Sequence, residues 1–234
     1  MTALEKILAQ YGDAWVWCAF DPINKLLPVF VVGKRTMENA KKLVRKLDKV
    51  TDETIPFFTS DELRHYERAL LETYGIVQEV PGQTGKRGRP PKPKLIPPPE
   101  LRYAQVVKKR KKGRVVSIET AIIFGDYEGV KKRLVISPVS KNINTSFVER
   151  NNLTMRQSSR RLTRGGNGFS KELHKLESQL YLASGYYHFV KTHLGLRQRV
   201  LDSSGKWRQR TPALAAQITD HVWSTRELLI YRVP

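Results

Sequence analysis

The chain has 234 residues, 40% of them hydrophobic, so it can bury a core as one large domain or two small ones and is not disordered throughout. Its 42 Lys and Arg against 22 Asp and Glu give a formal charge of +20, and self-repulsion on that scale calls for a polyanionic partner, of which nucleic acid is the usual one. No apolar run approaches the roughly 20 residues that span a bilayer, and a single cysteine, Cys18, excludes an internal disulfide framework and a cysteine-rich zinc site.

Residues 14–20 are aromatic and apolar and read as a buried strand, in which Cys18 is a small hydrophobe. Asp21, Pro22 and Asn24 supply turn chemistry, and residues 26–32 answer as the second strand of a hairpin. Thr36 caps a helix running to about Leu47, with Ala40, Leu43, Val44 and Leu47 on one face. Residues 55–59 read as a short buried strand leading into Ser60 and Asp61. A second helix carries Tyr66, Ala69, Leu70 and Tyr74 until Gly75 stops it.

Residues 81–99 are rich in Pro, Gly and basic side chains and read as an extended linker. Order resumes at 103–108 and 115–124 with strand character, and 134–136 suggest one more strand. Beyond Ser146 the pattern is helical. A basic helix covers 148 to about 162, and Ser170 begins a long helix through Leu173, Leu180 and Tyr187 to Val190. Thr211-Pro212 opens a short helix. The organisation is thus an α/β core in two stretches, 1–78 and 102–200, with a linker at 79–101 and a tail at 201–234.

Two acids stand apart by position. Asp61 follows a strand at its carboxyl end, where open α/β sheets place ligands. Glu149 lies in the first turn of a helix whose face continues through Asn152, Leu153, Arg156 and Arg160. Such a carboxylate suits a divalent metal, and arginines one to three turns on suit phosphate. Equally, Asp61 can cap a helix and Glu149 can offset a helix dipole. His188 and His193 lie among aromatic residues and read as packing.

The wording of the sequence around Glu149 resembles more than a generic helix. Residues 144–157, NTSFVERNNLTMRQ, resemble the glutamate-bearing helix of insertion sequence one family DDE transposases. The resemblance continues through RRLTR at 160–164, GFSK at 168–171, YYHF at 186–189, HLGLR at 193–197 and TPALAA at 211–216. It implies a ribonuclease-H-like mixed sheet flanked by helices, with a helical carboxyl-terminal part. It further implies DNA strand cleavage and transfer dependent on Mg²⁺ or Mn²⁺, with Asp61 and Glu149 as the second and third catalytic, metal-binding acids. Arg150, Asn152, Arg156, Arg160, Arg161 and Arg164 become the expected DNA contacts of that stretch. The family's first acid lies in an Asp-Glu-aromatic run on an initial strand. Residues 1–12 hold no Asp-Glu pair, so the expectation is an incomplete acid set with Asp21 in a turn.

A second likeness is separate from the first. Lys86, Arg87, Gly88, Arg89 and Pro90, followed by Pro and Lys, resemble an AT-hook, whose arginines enter a narrow A·T minor groove while glycine admits the backbone. A solvated basic linker is the plainer alternative. The expected partner is double-stranded DNA, both element ends and target, with no membrane and with a homo-oligomer possible on DNA. The expected setting is the cytoplasm of a prokaryote, at the nucleoid. A non-catalytic DNA-binding inhibitor and a basic RNA-associated protein are the competing readings.

Overall fold

A computed structural model describes residues 14–52, 54–79, 93–163, 167–168, 170–200 and 206–232. The chain is mixed α/β and divides into two compact units. One unit is the central stretch Arg35–Thr145, and the other joins the amino-terminal Met1–Lys34 to Ser146–Pro234. These divisions fall elsewhere than the composition breaks at 79 and 101. Long-range packing, not local composition, sets them.

The discontinuous unit begins with the expected hairpin. Strands β1 (Trp15–Cys18) and β2 (Phe30–Gly33) pair antiparallel, with Trp17 opposite Val31. Asp21 closes the intervening turn. Its carboxylate accepts from the Ile23 amide at 2.9 Å and from the Asn24 side chain at 2.9 Å, a bonding role that needs two oxygens. Leu27 and Phe30 then meet Met155, Leu176 and Leu180 in one apolar cluster, with Val16, Cys18, Val32, Leu162 and Ala183 around it. Phe30 also stacks against Tyr181 at 4.7 Å between ring centroids. Leu180 is fully buried at the centre. Leu180→Ala should therefore cost about 3 kcal/mol of stability, as lost transfer energy plus a cavity. Denaturant unfolding measures this, and a loss below about 1 kcal/mol would show that the cluster is not the core of this unit.

The central unit has a three-stranded mixed sheet ordered β3 (Phe57–Asp61), β6 (Arg102–Lys111), β7 (Arg114–Phe124). Strand β3 runs parallel to β6 and β7 antiparallel to it. Helix α1 (Met37–Asp48) starts where expected, with the Thr36 hydroxyl accepting from the Asn39 amide. Helix α2 (Arg64–Tyr74) packs beside it, and Lys41 of α1 reaches Glu72 of α2 at 2.8 Å. That cation holds the Glu72 carboxyl below the usual carboxylate range, with Arg68 adding to it. Gly75 ends α2 because a Cβ there would lie 2.2 Å from the Leu71 carbonyl oxygen.

Four expectations need correction. The strand expected at 55–59 lies at Phe57–Asp61 and is only half-buried; among the described residues β3 is an edge strand with a neighbour on one side. Residues 134–136 are the end of helix α3 (Tyr127–Ile136), not a strand; the Asp126 carboxylate accepts from the Gly129 amide and starts it. The expected linker contributes β5 (Lys94–Ile96), which pairs antiparallel with β4 (Ile76–Gln78). Ser170 does not cap the long helix: α5 (Leu173–Gly185) has Glu172 at its N-cap without a side-chain bond. It then loosens into a π turn at Tyr186–Val190.

The remaining elements are short. Strands β8 (Gln198–Arg199) and β9 (Trp207–Arg208) pair, and Thr211 caps α6 (Pro212–Ala215) as its Thr-Pro start predicts. Helix α7 (Thr225–Ile230) carries a full capping box from Ser224 and Glu227. No described helix is long and apolar enough to cross a membrane.

Candidate nucleic-acid interface

Helix α4 (Ser146–Ser158) carries the residues singled out around Glu149. Its inward face is Asn151 and Met155, and Met155 sits in the apolar cluster, so packing fixes how the helix is rotated. Glu149, Arg150 and Leu153 are consequently exposed, while Asn152 and Arg156 are half-buried along the flank. After Ser158 the chain tightens into a 3₁₀ turn, Arg160–Leu162, anchored by Leu162 on the core. That turn brings Arg160 beside Arg156. Together with Gln157 and Thr163 they line an open hollow of about 470 Å³.

Small residues make this arrangement possible. A Cβ on Gly168 would approach Arg160 Cγ to 2.9 Å, so glycine lets the following loop lie against that side chain. One residue on, Arg161 donates from Nη1 to Ser170 Oγ at 2.7 Å. The serine expected to cap the next helix is thus holding an arginine instead.

The expected contact residues therefore separate. Arg156 and Arg160 converge on the hollow, and Arg150 points to solvent from the first turns of the helix. Asn152 turns inward, where its Oδ1 accepts from Cys18 Sγ at 3.2 Å. Burial pushes the Cys18 thiol up to about 11, against a smaller opposing pull from Arg156. Cys18 is thus a poor nucleophile near neutral pH. Arg164, Lys86, Arg87, Gly88, Arg89 and Pro90 lie outside the described residues. Helical spacing does not single out Gln157 and Thr163: Gln157 is about 100° round the helix from Arg156, and Thr163 lies beyond the helix end at Ser158.

Asp61 belongs to the central unit and is the last residue of β3, exposed at the strand's carboxyl end. It does not cap α2, whose N-cap is Leu63 with no side-chain bond. Its backbone is held instead. Gln105 Nε2 donates to Tyr103 Oη at 2.8 Å, and the hydroxyls of Tyr103 and Ser60 meet at 2.7 Å. Ser60 Oγ in turn donates to the Asp61 carbonyl at 2.7 Å. Burial raises the Tyr103 pKa, so this relay stays neutral. The Asp61 carboxylate thus projects from a fixed backbone.

No protein-family model, curated protein or solved structure matches this chain. Asp61 and Glu149 belong to different compact units, and among the described residues no three His, Cys, Asp or Glu side chains are grouped as a metal ion requires.

The two histidines are structural, as their aromatic surroundings suggest. His188 Nε2 accepts from the Leu27 amide at 3.0 Å, which requires a neutral ring protonated at Nδ1. Its neighbour Tyr187 donates to the Lys25 carbonyl at 3.0 Å, so the π turn clamps the end of the β1–β2 loop. Burial pushes His188 and His193 each down to about 4. Below pH 6.5 the unfolded chain then binds more protons than the folded one, so stability is full above that pH and falls toward pH 4. The expected loss from His188 is on the order of 3 kcal/mol. Thermal melts between pH 7.5 and 4.5 measure it, and His188→Gln should make the fall shallower, leaving the part that His193 supplies. A wild-type profile level across that window would contradict a neutral, buried His188.

Proposed function

We propose that this chain is the DNA-binding catalytic core of a transposase of the insertion sequence one family, with a ribonuclease-H-like fold. The single observation that carries the DNA-binding part is the hollow beside α4, where Arg156 and Arg160 converge with Gln157 and Thr163, on the helix that also carries the exposed Glu149 and Arg150. Two guanidiniums flanked by an amide and a hydroxyl form a donor set for phosphate oxygens, and they sit on a chain of formal charge +20. Support for the catalytic part is the resemblance around Glu149, the exposed Asp61 at a strand's carboxyl end, and a mixed sheet with helices. In this reading Asp61 and Glu149 are acids of a site that takes Mg²⁺ or Mn²⁺, and the chain acts at the nucleoid.

The first test is binding of a 20-base-pair duplex at several salt concentrations. Log affinity should fall linearly with log salt, with a slope near −0.9 for each phosphate contact. Affinity unchanged between about 50 and 200 mM salt would contradict the proposal. A preference for A·T-rich duplex should come from Arg87 and Arg89. Replacing both by alanine should erase that preference and leave general affinity largely intact. Discrimination that survived the double substitution would make residues 86–94 a linker only.

A further inference from the structure

The central unit carries a strongly basic arm. Strand β3 pairs with β6 only as far as Asp61 opposite Val106. Beyond that pair, among the described residues, β6 and β7 continue as a two-stranded ribbon, Val107–Lys111 against Arg114–Glu119. At a strand rise near 3.3 Å this ribbon projects roughly 16 Å past the last β3 pair. It ends in a two-residue turn with Lys112 at φ 50° and Gly113 at φ 78°, the positive-φ pair of a type I′ hairpin. A turn of that type matches the twist of its strands and closes the ribbon tightly.

Its chemistry is uneven. Lys108, Lys109, Arg110, Lys111, Lys112 and Arg114 stand against one acid, Glu119, which pairs with Lys109 at 2.6 Å. Three apolar side chains are nevertheless exposed among them, Val115 at 43%, Val116 at 62% and Ile118 at 64%. The register slips between Lys109 and Arg110, leaving Val116 without an opposite residue. Such a bulge turns a side chain out of the ladder and sharpens the twist.

We infer that this arm lies in the major groove of duplex DNA and guides the backbone across the sheet end that carries Asp61. A two-stranded ribbon fits the roughly 12 Å major groove. The cations of β6 and the turn face phosphates, and Val116 and Ile118 face base edges, where thymine methyl groups offer apolar contact. Because β3 and β6 are parallel, the arm leaves the sheet at the carboxyl end of β3, beside Asp61. Charge complementarity selects the polyanion over a second strand as the occupant of this edge. The inference rests on the DNA-binding reading and adds a second, separate contact to the α4 hollow.

The test is Lys111→Gln, Lys112→Gln and Arg114→Gln in one chain, which removes three charges while keeping unbranched polar side chains at exposed positions. Duplex affinity at 100 mM salt should fall roughly tenfold or more, and the salt slope should flatten by close to three contacts, about 2.7. Val116→Ser with Ile118→Ser should leave the slope unchanged while weakening binding to T-rich duplex several-fold. Melting temperatures of both variants should match the parent chain. Unchanged DNA binding by the triple variant, while the parent retains its salt-dependent binding, overturns the arm inference alone. So does self-association of the triple variant in sedimentation with DNA binding intact, which would make the lysines guards of a strand edge. Absence of duplex binding by the parent chain overturns the DNA-binding reading itself.

Discussion

Replacing Arg156 and Arg160 together with alanine should cut duplex affinity at least tenfold at 100 mM salt and flatten the salt slope by about 1.8, two contacts' worth. The two side chains line one hollow but are held differently. Arg160 is exposed and lies against Gly168, whereas Arg156 is half-buried with its charge felt by Cys18. Loss of Arg156 therefore also removes packing along its stem, and melting temperature must be measured beside affinity. Arg156→Lys separates the two roles. It keeps the charge, so the slope should stay, but it loses the planar fork that grips phosphate on two oxygens, so affinity should fall by a smaller factor. Equal slopes for the double variant and the parent would place the phosphate contacts elsewhere.

The second large effect concerns the acids. The 234-residue chain should show no Mg²⁺-dependent nicking of supercoiled plasmid, because the resemblance assigns two acids, Asp61 and Glu149, where the chemistry uses three. A chain extended by the family's initial strand with its aspartate should nick. In that extended chain Asp61→Asn or Glu149→Gln should each return nicking to background, since each removes a charge while nearly preserving shape. Asp21→Asn should leave nicking intact. Its two oxygens serve the Ile23 and Asn24 donors of a turn, so the change costs about 1 kcal/mol of local hydrogen bonding. Strong nicking by the 234-residue chain that vanished with Asp21→Asn would instead make Asp21 an acid of the site.

Local signals in the sequence were legible and distant ones were not. Thr36, Gly75 and Thr211-Pro212 mark helix ends because a cap or a breaker acts within a few residues. The β1–β2 hairpin was readable because Asp21 bonds donors only two and three residues on. Leu134, Val135 and Ile136 mislead, since their branched side chains suit a strand while the Asp126 cap eight residues earlier commits them to a helix. The capping box at Ser224 and Glu227 was present in the sequence and passed unread. Pairing of Lys94–Ile96 with Ile76–Gln78, and packing of the first hairpin against α4 and α5, depend on contacts far apart in the chain. For the interface, the basic stripe of α4 was legible from helical spacing. The inward turn of Asn152 toward Cys18 and the capture of Arg161 by Ser170 were not, because each needs a partner from another segment.

The central claim is that duplex DNA lies along the outward face of α4, and proximity crosslinking tests it most directly. Leu153 is 52% exposed on that face, between Glu149 and Arg156. Cys18 is the one native cysteine, and its raised pKa keeps it from competing for a thiol reagent at neutral pH. A photoactivatable group on Leu153→Cys should therefore crosslink to a labelled 20-base-pair duplex, and the yield should fall as salt rises. The same group on Ile230→Cys, a still more exposed position in the last helix, should crosslink weakly. Strong crosslinking from position 230 with none from position 153 would contradict the account.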